Sequence, residues 1–157
     1  MKRVSQTLLV ALALCSLLVV AQDVRAQGTD RGRFYTKKDV DRIIKRVEDR
    51  SDAFRKVVDR TLDRSVLNGT NREDNINQQV KELENAIDKL KKDFKRANTW
   101  EETREQVQTV MNEADEVNGI VRRGRWRRGG AVKDEWALVR ADLNKLAGVY
   151  NLRQLVP

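Results

Sequence analysis

The sequence predicts an all-α protein: an up-down-up-down four-helix bundle with a long first helix, preceded by a cleavable signal peptide. Three observations carry this. The one long apolar run lies at the start, apolar positions recur at helical spacing through most of the remaining chain, and threonine-based helix-start signals punctuate that pattern. No strand-like alternation or hairpin signal competes.

Residues 1–26 read as the signal. Lys2 and Arg3 form a positive start, Leu8 to Val20 an apolar run of thirteen, and Val24-Arg25-Ala26 a small-residue cleavage site. A bilayer span needs about 20 apolar residues, and Gln22, Asp23 and Arg25 follow at once, so an uncleaved anchor fits less well. Cys15 is preceded by Leu14 where a lipid-modified cysteine wants a small residue. Removing this segment takes Lys2, Arg3, Arg25 and Asp23 from the 32 basic and 24 acidic residues, leaving a net charge of +6. It also removes the single cysteine, and the chain has no histidine. An exported domain without disulfides must bury enough core by helix packing alone. The expected location is therefore the periplasm or the outside of a bacterial cell.

Residues 27–35 form a polar leader expected to be flexible, and 36–151 the bundle. Thr36 with Asp39 resembles a capping box, and Val40, Ile43, Ile44, Val47, Phe54, Val57, Val58, Leu62 and Val66 follow at helical spacing. Asn68-Gly69 is expected to end this first helix as a left-handed cap, giving it about 48 Å of length. A helix longer than its partners would overhang, bend near Ser51 or contribute to an oligomer contact. Its polar face offers Asp41 to Lys45, Asp52 to Lys56 and Arg55 to Asp59, each four apart. The repeated Asp-Arg dipeptides at 41, 49, 59 and 63 read as part of that solvated face.

Thr70 and Glu73 open a second helix, whose Ile76, Val80, Leu83, Ile87, Leu90, Phe94 and Ala97 form a heptad-like seam. Thr99 and Glu102 open a third, continued by Thr103, Val107, Val110, Ala114, Val117 and Val121. The fourth starts near Ala131 with Asp134 and Glu135 in its first turn, and carries Val132, Trp136, Val139, Leu143, Leu146 and Tyr150. Short connections force antiparallel neighbours, which puts the first and third connections at one end and both termini at the other. The tail, 152–157, carries Leu152, Leu155 and Val156 and is expected to pack back onto an end or to fray.

Without histidine or cysteine, haem attachment, ordinary zinc sites, Ser-His-Asp triads and di-iron bundles built on Glu-x-x-His have no ligands or bases here. Residues 71–77, NREDNIN, lack the glycine and terminal glutamate of a calcium loop and read as the first turns of a helix. The carboxylates are dispersed on helix exteriors, and nothing singles out a pair. No catalytic, cofactor or metal site is expected. Asn68-Gly69-Thr70 matches a glycosylation acceptor but reads more simply as a helix stop followed by a start.

The unusual stretch is VRRGRWRRGG, residues 121–130, with five arginines, one tryptophan and no acid. Five of the six net charges sit in it, so the basicity is local. Arg122, Arg123 and Gly124 have a structural reading as a helix end, whereas Arg125, Trp126, Arg127 and Arg128 gain nothing from capping. Together Arg122, Arg123, Arg125, Trp126, Arg127 and Arg128 are the candidate polyanion-binding patch. For an exported chain the expected partner is an anionic lipid or polysaccharide surface or an acidic protein, in preference to nucleic acid. The competing class is an envelope scaffold or holdase-like protein acting through apolar helix surfaces.

Overall fold

A computed structural model describes residues 29–30, 33–124 and 130–157. The expected signal, 1–26, lies outside the described residues. Four helices form a helical bundle: α1 (Lys37–Asp63), α2 (Asn71–Arg96), α3 (Arg104–Arg123) and α4 (Gly130–Val149). Ahead of them, β1 (Thr29–Asp30) pairs antiparallel with β2 (Arg33–Phe34), Thr29 opposite Phe34, inside the polar leader expected to be flexible. Tyr35, next in the chain, is buried.

The capping box at α1 is present: Asp39 N–H donates to Thr36 Oγ1 at 3.2 Å, and Thr36 N–H donates to Asp39 Oδ2 at 3.1 Å. These bonds satisfy amide groups that the first turn leaves open. Thr36 also holds the Asp39 carboxyl below its ordinary value by hydrogen bonding.

Two expectations about α1 need correction. It ends at Asp63, not at Asn68-Gly69, so its 27 residues span about 40 Å. Short polar side chains stop it: Ser65 Oγ accepts the Leu67 N–H at 3.0 Å, and Asn68 Nδ2 donates to the Asp63 carbonyl at 2.9 Å. Gly69 is left-handed, φ +75°, but it serves the turn into α2. Val66 is consequently 89% exposed instead of lying in the seam. Among the described residues α1 is still the longest helix, but it exceeds α2 by a single residue, 27 against 26, so it has little to overhang against that neighbour.

At α2, Thr70 Oγ1 accepts the Glu73 N–H, and Glu73 Oε2 accepts the Gly69 N–H at 2.6 Å, one residue earlier than a standard box. The third start is at Thr99 with Glu102 as expected, but it opens a 3-10 turn before the α-helix. Glu102 accepts the N–H groups of Asn98 and Thr99, and a 3-10 turn, Trp100–Thr103, then leads into α3. Asp134 and Glu135 fall in the second turn of α4, not its first, because the helix opens at Gly130.

The expected seams form one core. Every named seam position from Ile76 to Phe94 in α2, from Thr103 just before α3 to Val121 within it, and from Val132 in α4 to Tyr150 just after it is buried. Helix directions follow from cross-helix contacts. Glu48 pairs with Lys91 and Arg55 with Glu84, so α1 and α2 run antiparallel. Arg46 and Arg50 both reach Asp142, at 3.4 and 2.9 Å, while Phe54 packs on Trp136 with ring centroids 5.1 Å apart, so α1 and α4 do the same. Asn118 meets Trp136 and Thr103 meets Tyr150, which makes α3 antiparallel to α4. Of the pairs expected along α1, Arg55 to Asp59 forms at 3.8 Å, but Lys45 turns to Asp49 at 3.5 Å instead of Asp41.

A polar knot closes one end. Tyr150 Oη donates to the Trp100 carbonyl at 2.9 Å and lies 2.9 Å from Thr103 Oγ1, while the rings of Trp100 and Tyr150 meet edge to face. Arg104 donates to the Tyr150 carbonyl. Burial pushes the Tyr150 phenol up to about 12. Just beyond, Asn151 is left-handed at φ 52°, with Leu152 N–H donating to Ala147 O and Asn151 N–H to Gly148 O. This is the double bond pattern that ends a helix at a left-handed residue, here asparagine in place of glycine.

The tail does not cap an end. It runs back along α3 and α4, with Leu155 buried and Val156 48% exposed. Leu155 N–H donates to Asn144 Oδ1 at 2.7 Å, and Asn144 Nδ2 donates to Leu155 O at 3.0 Å. Asn118 Nδ2 donates to Val156 O at 3.0 Å.

Candidate functional site

The polyanion patch was expected where α3 meets α4. Arg122 and Arg123 occupy the last turn of α3, both exposed, and Gly124 is the C-cap residue. Gly124 is extended, φ −67° and ψ 130°, instead of left-handed, and its N–H donates to Ile120 O at 2.8 Å. Arg125, Trp126, Arg127 and Arg128 lie outside the described residues, so the structure brings together only the first two members of the patch. A helix C-terminus carries partial negative charge, which favours cations there. Neither arginine, however, donates to a terminal carbonyl or pairs with a carboxylate among the described residues. The Arg123 guanidinium folds back along the helix: a methyl group built on Gly119 would stand 2.8 Å from Arg123 Nη2. A glycine one turn earlier thus leaves room for that arginine to lie flat.

The α1–α2 turn shares this end of the bundle, as the antiparallel contacts require. It contributes the exposed Arg64, Arg72 and Val66, with Asp63 and Asp74 among them. Those acids offset the two added arginines. Among the described residues, Arg122 and Arg123 are what the candidate patch contributes to this end. Arg64 and Arg72 were not singled out from sequence, because only the pairing of helix ends places them beside residues fifty positions away.

Elsewhere the surface offers shallow relief. The groove between α1 and α2 holds a cavity of about 310 Å³ lined by Glu48, Asp52, Arg55, Lys81, Glu84 and Asp88, among others. Of these charges, Arg55 pairs with Glu84 across the groove, and Glu48 pairs with Lys91 beside it. Lys91 is raised above its ordinary value by its hydrogen bond to Glu48, and Glu84 is raised by burial despite Arg55 beside it. Among the described residues no three carboxylates are placed to hold a metal ion, and no helix is long and apolar enough to cross a membrane.

No protein-family model, curated protein or solved structure matches the chain.

Proposed function

We propose that the protein is an exported, up-down-up-down four-helix bundle without cofactor that acts by binding, not catalysis, and docks on an anionic envelope component through its arginine and tryptophan loop. The supporting observation is that Arg122 and Arg123 are exposed at the end of α3 with no acid or carbonyl partner among the described residues, while Gly124 supplies the capping bond. The chain thus presents two unspent guanidinium groups immediately before three more arginines and Trp126.

Arginine suits this partner because its planar fork meets phosphate or carboxylate oxygens in pairs. Each cation near an anionic surface contributes about 1 kcal/mol, so five contribute at most about 5 kcal/mol. Attachment of that size is reversible and sensitive to salt. The scaffold or holdase alternative is less well supported, since the apolar seams it would present are buried in the bundle's own core.

The test replaces Arg125, Arg127 and Arg128 together with serine. Retention on heparin or on liposomes containing anionic lipid should be lost, and loss of retention by the unmodified chain in about 0.5 M salt should accompany it. The melting temperature should barely move. Unchanged retention in the triple variant would remove the loop as the contact.

A further inference from the structure

We infer that the groove between α3 and α4 is a peptide-binding site, occupied in cis by the chain's own tail, which exchanges for an extended segment of a partner polypeptide bearing a leucine-like side chain. This inference is independent of the arginine tip.

The groove reads backbone. One carboxamide, Asn144, satisfies both main-chain groups of Leu155, accepting its N–H at 2.7 Å and donating to its carbonyl at 3.0 Å. A second, Asn118, donates to the Val156 carbonyl at 3.0 Å while its oxygen is fixed by the Trp136 indole N–H at 2.8 Å. Both amides are thereby oriented, and neither contact depends on which residue supplies the backbone. The sequence requirement comes from the one side chain buried between them, Leu155. Gln154 adds one long side-chain bond, Nε2 donating to the Asn144 carbonyl at 3.4 Å, while Arg153, Val156 and Pro157 are exposed and set no such requirement.

The tail is held by side-chain hydrogen bonds and by the burial of Leu155. Among the described residues no backbone-to-backbone hydrogen bond joins 153–157 to the bundle. The last one is Leu152 N–H to Ala147 O, within the motif that ends α4 at Asn151. Release of the tail therefore leaves α4 terminated as before, with Asn151 as the pivot. It also leaves Asn144 open on both amide groups and the Leu155 pocket bare. Water answers the amides but not the pocket, whereas an extended peptide with one aliphatic side chain answers both.

The probe is a fluorescent hexapeptide of residues 152–157, Leu-Arg-Gln-Leu-Val-Pro, titrated into the full chain. The tethered tail competes at an effective concentration of roughly millimolar order, so the unmodified chain should bind the probe weakly. Leu155→Ser, which weakens the cis contact, should bind it at least about tenfold more tightly, and adding Asn144→Ala should abolish that gain. No binding by a Leu155→Ser chain of unchanged helical content, or equal binding by all three chains, would overturn the inference. Should Leu155→Ser fail to fold, amide exchange in the unmodified chain decides. A Leu155 amide exchanging about 100-fold faster than those of Val107 and Leu143 supports separate opening of the tail, and equal rates refute it.

Discussion

Asn118 of α3 accepts the indole N–H of Trp136 of α4 at 2.8 Å, in a site where both residues are 1% exposed. The same carboxamide holds Val156 with its other end, so one side chain joins α3, α4 and the tail. Because both groups are cut off from water, the bond matters mainly for what its loss would leave behind.

Asn118→Leu should therefore destabilise the protein by about 1–3 kcal/mol in urea unfolding, chiefly from the stranded indole N–H, with the bond to the Val156 carbonyl lost as well. Trp136→Phe removes the donor, so the double variant should lose less than the sum of the two single changes. Simple additivity in that cycle would show that the bond contributes no coupling.

Tyr150 makes stability depend on pH at the alkaline end. Its phenol ionises near 10 when unfolded and near 12 in the buried knot, so below pH 10 it is neutral in both states. Between those values only the unfolded chain gives up the proton, and stability should fall by about 1.4 kcal/mol per pH unit on this group's account. Comparing urea midpoints of the unmodified chain and Tyr150→Phe at pH 9 and pH 11 isolates it: the gap between them should narrow at the higher pH. A constant gap would mean that the phenol titrates alike folded and unfolded.

Arg55 and Glu84 join α1 to α2 with the carboxylate side chain only 16% exposed. Burial has raised the Glu84 carboxyl above its ordinary value, so its ionised form already costs stability near neutral pH and depends on Arg55. Arg55→Ala should lower stability by about 1 kcal/mol at pH 7, a modest figure because the guanidinium is half exposed. The loss should shrink on acidification, because a protonated Glu84 no longer needs the guanidinium, and burial makes it take up its proton more readily than an ordinary carboxylate. A loss that grew on acidification would contradict this sign.

Much of the architecture was legible because its causes are local. Thr36 with Asp39 announces α1 through bonds spanning three residues, and the step of three and four from Ile76 to Phe94 names a buried face without knowledge of the partner. The error at the end of α1 is local as well: Val66 kept the helical spacing, but Ser65 and Asn68 offered the backbone competing bonds that periodicity does not register. Of the candidate site, the residue types were plain from sequence, and the structure places Arg122 and Arg123 at the bundle end shared with Arg64 and Arg72.

By itself the sequence determined where α1 and α2 begin and which faces the helices hide, since both follow from capping bonds and from a 3.6-residue period within one segment. Only the tertiary structure decided which polar residues would meet across helices. Asn118 beside Val117, or Asp142 beside Leu143, looks like a solvent-facing neighbour of a seam until helix register brings Trp136 or Arg50 against it. That register depends on the packing of distant side chains, and so does the fate of a six-residue tail whose hydrogen bonds go to Asn118 and Asn144.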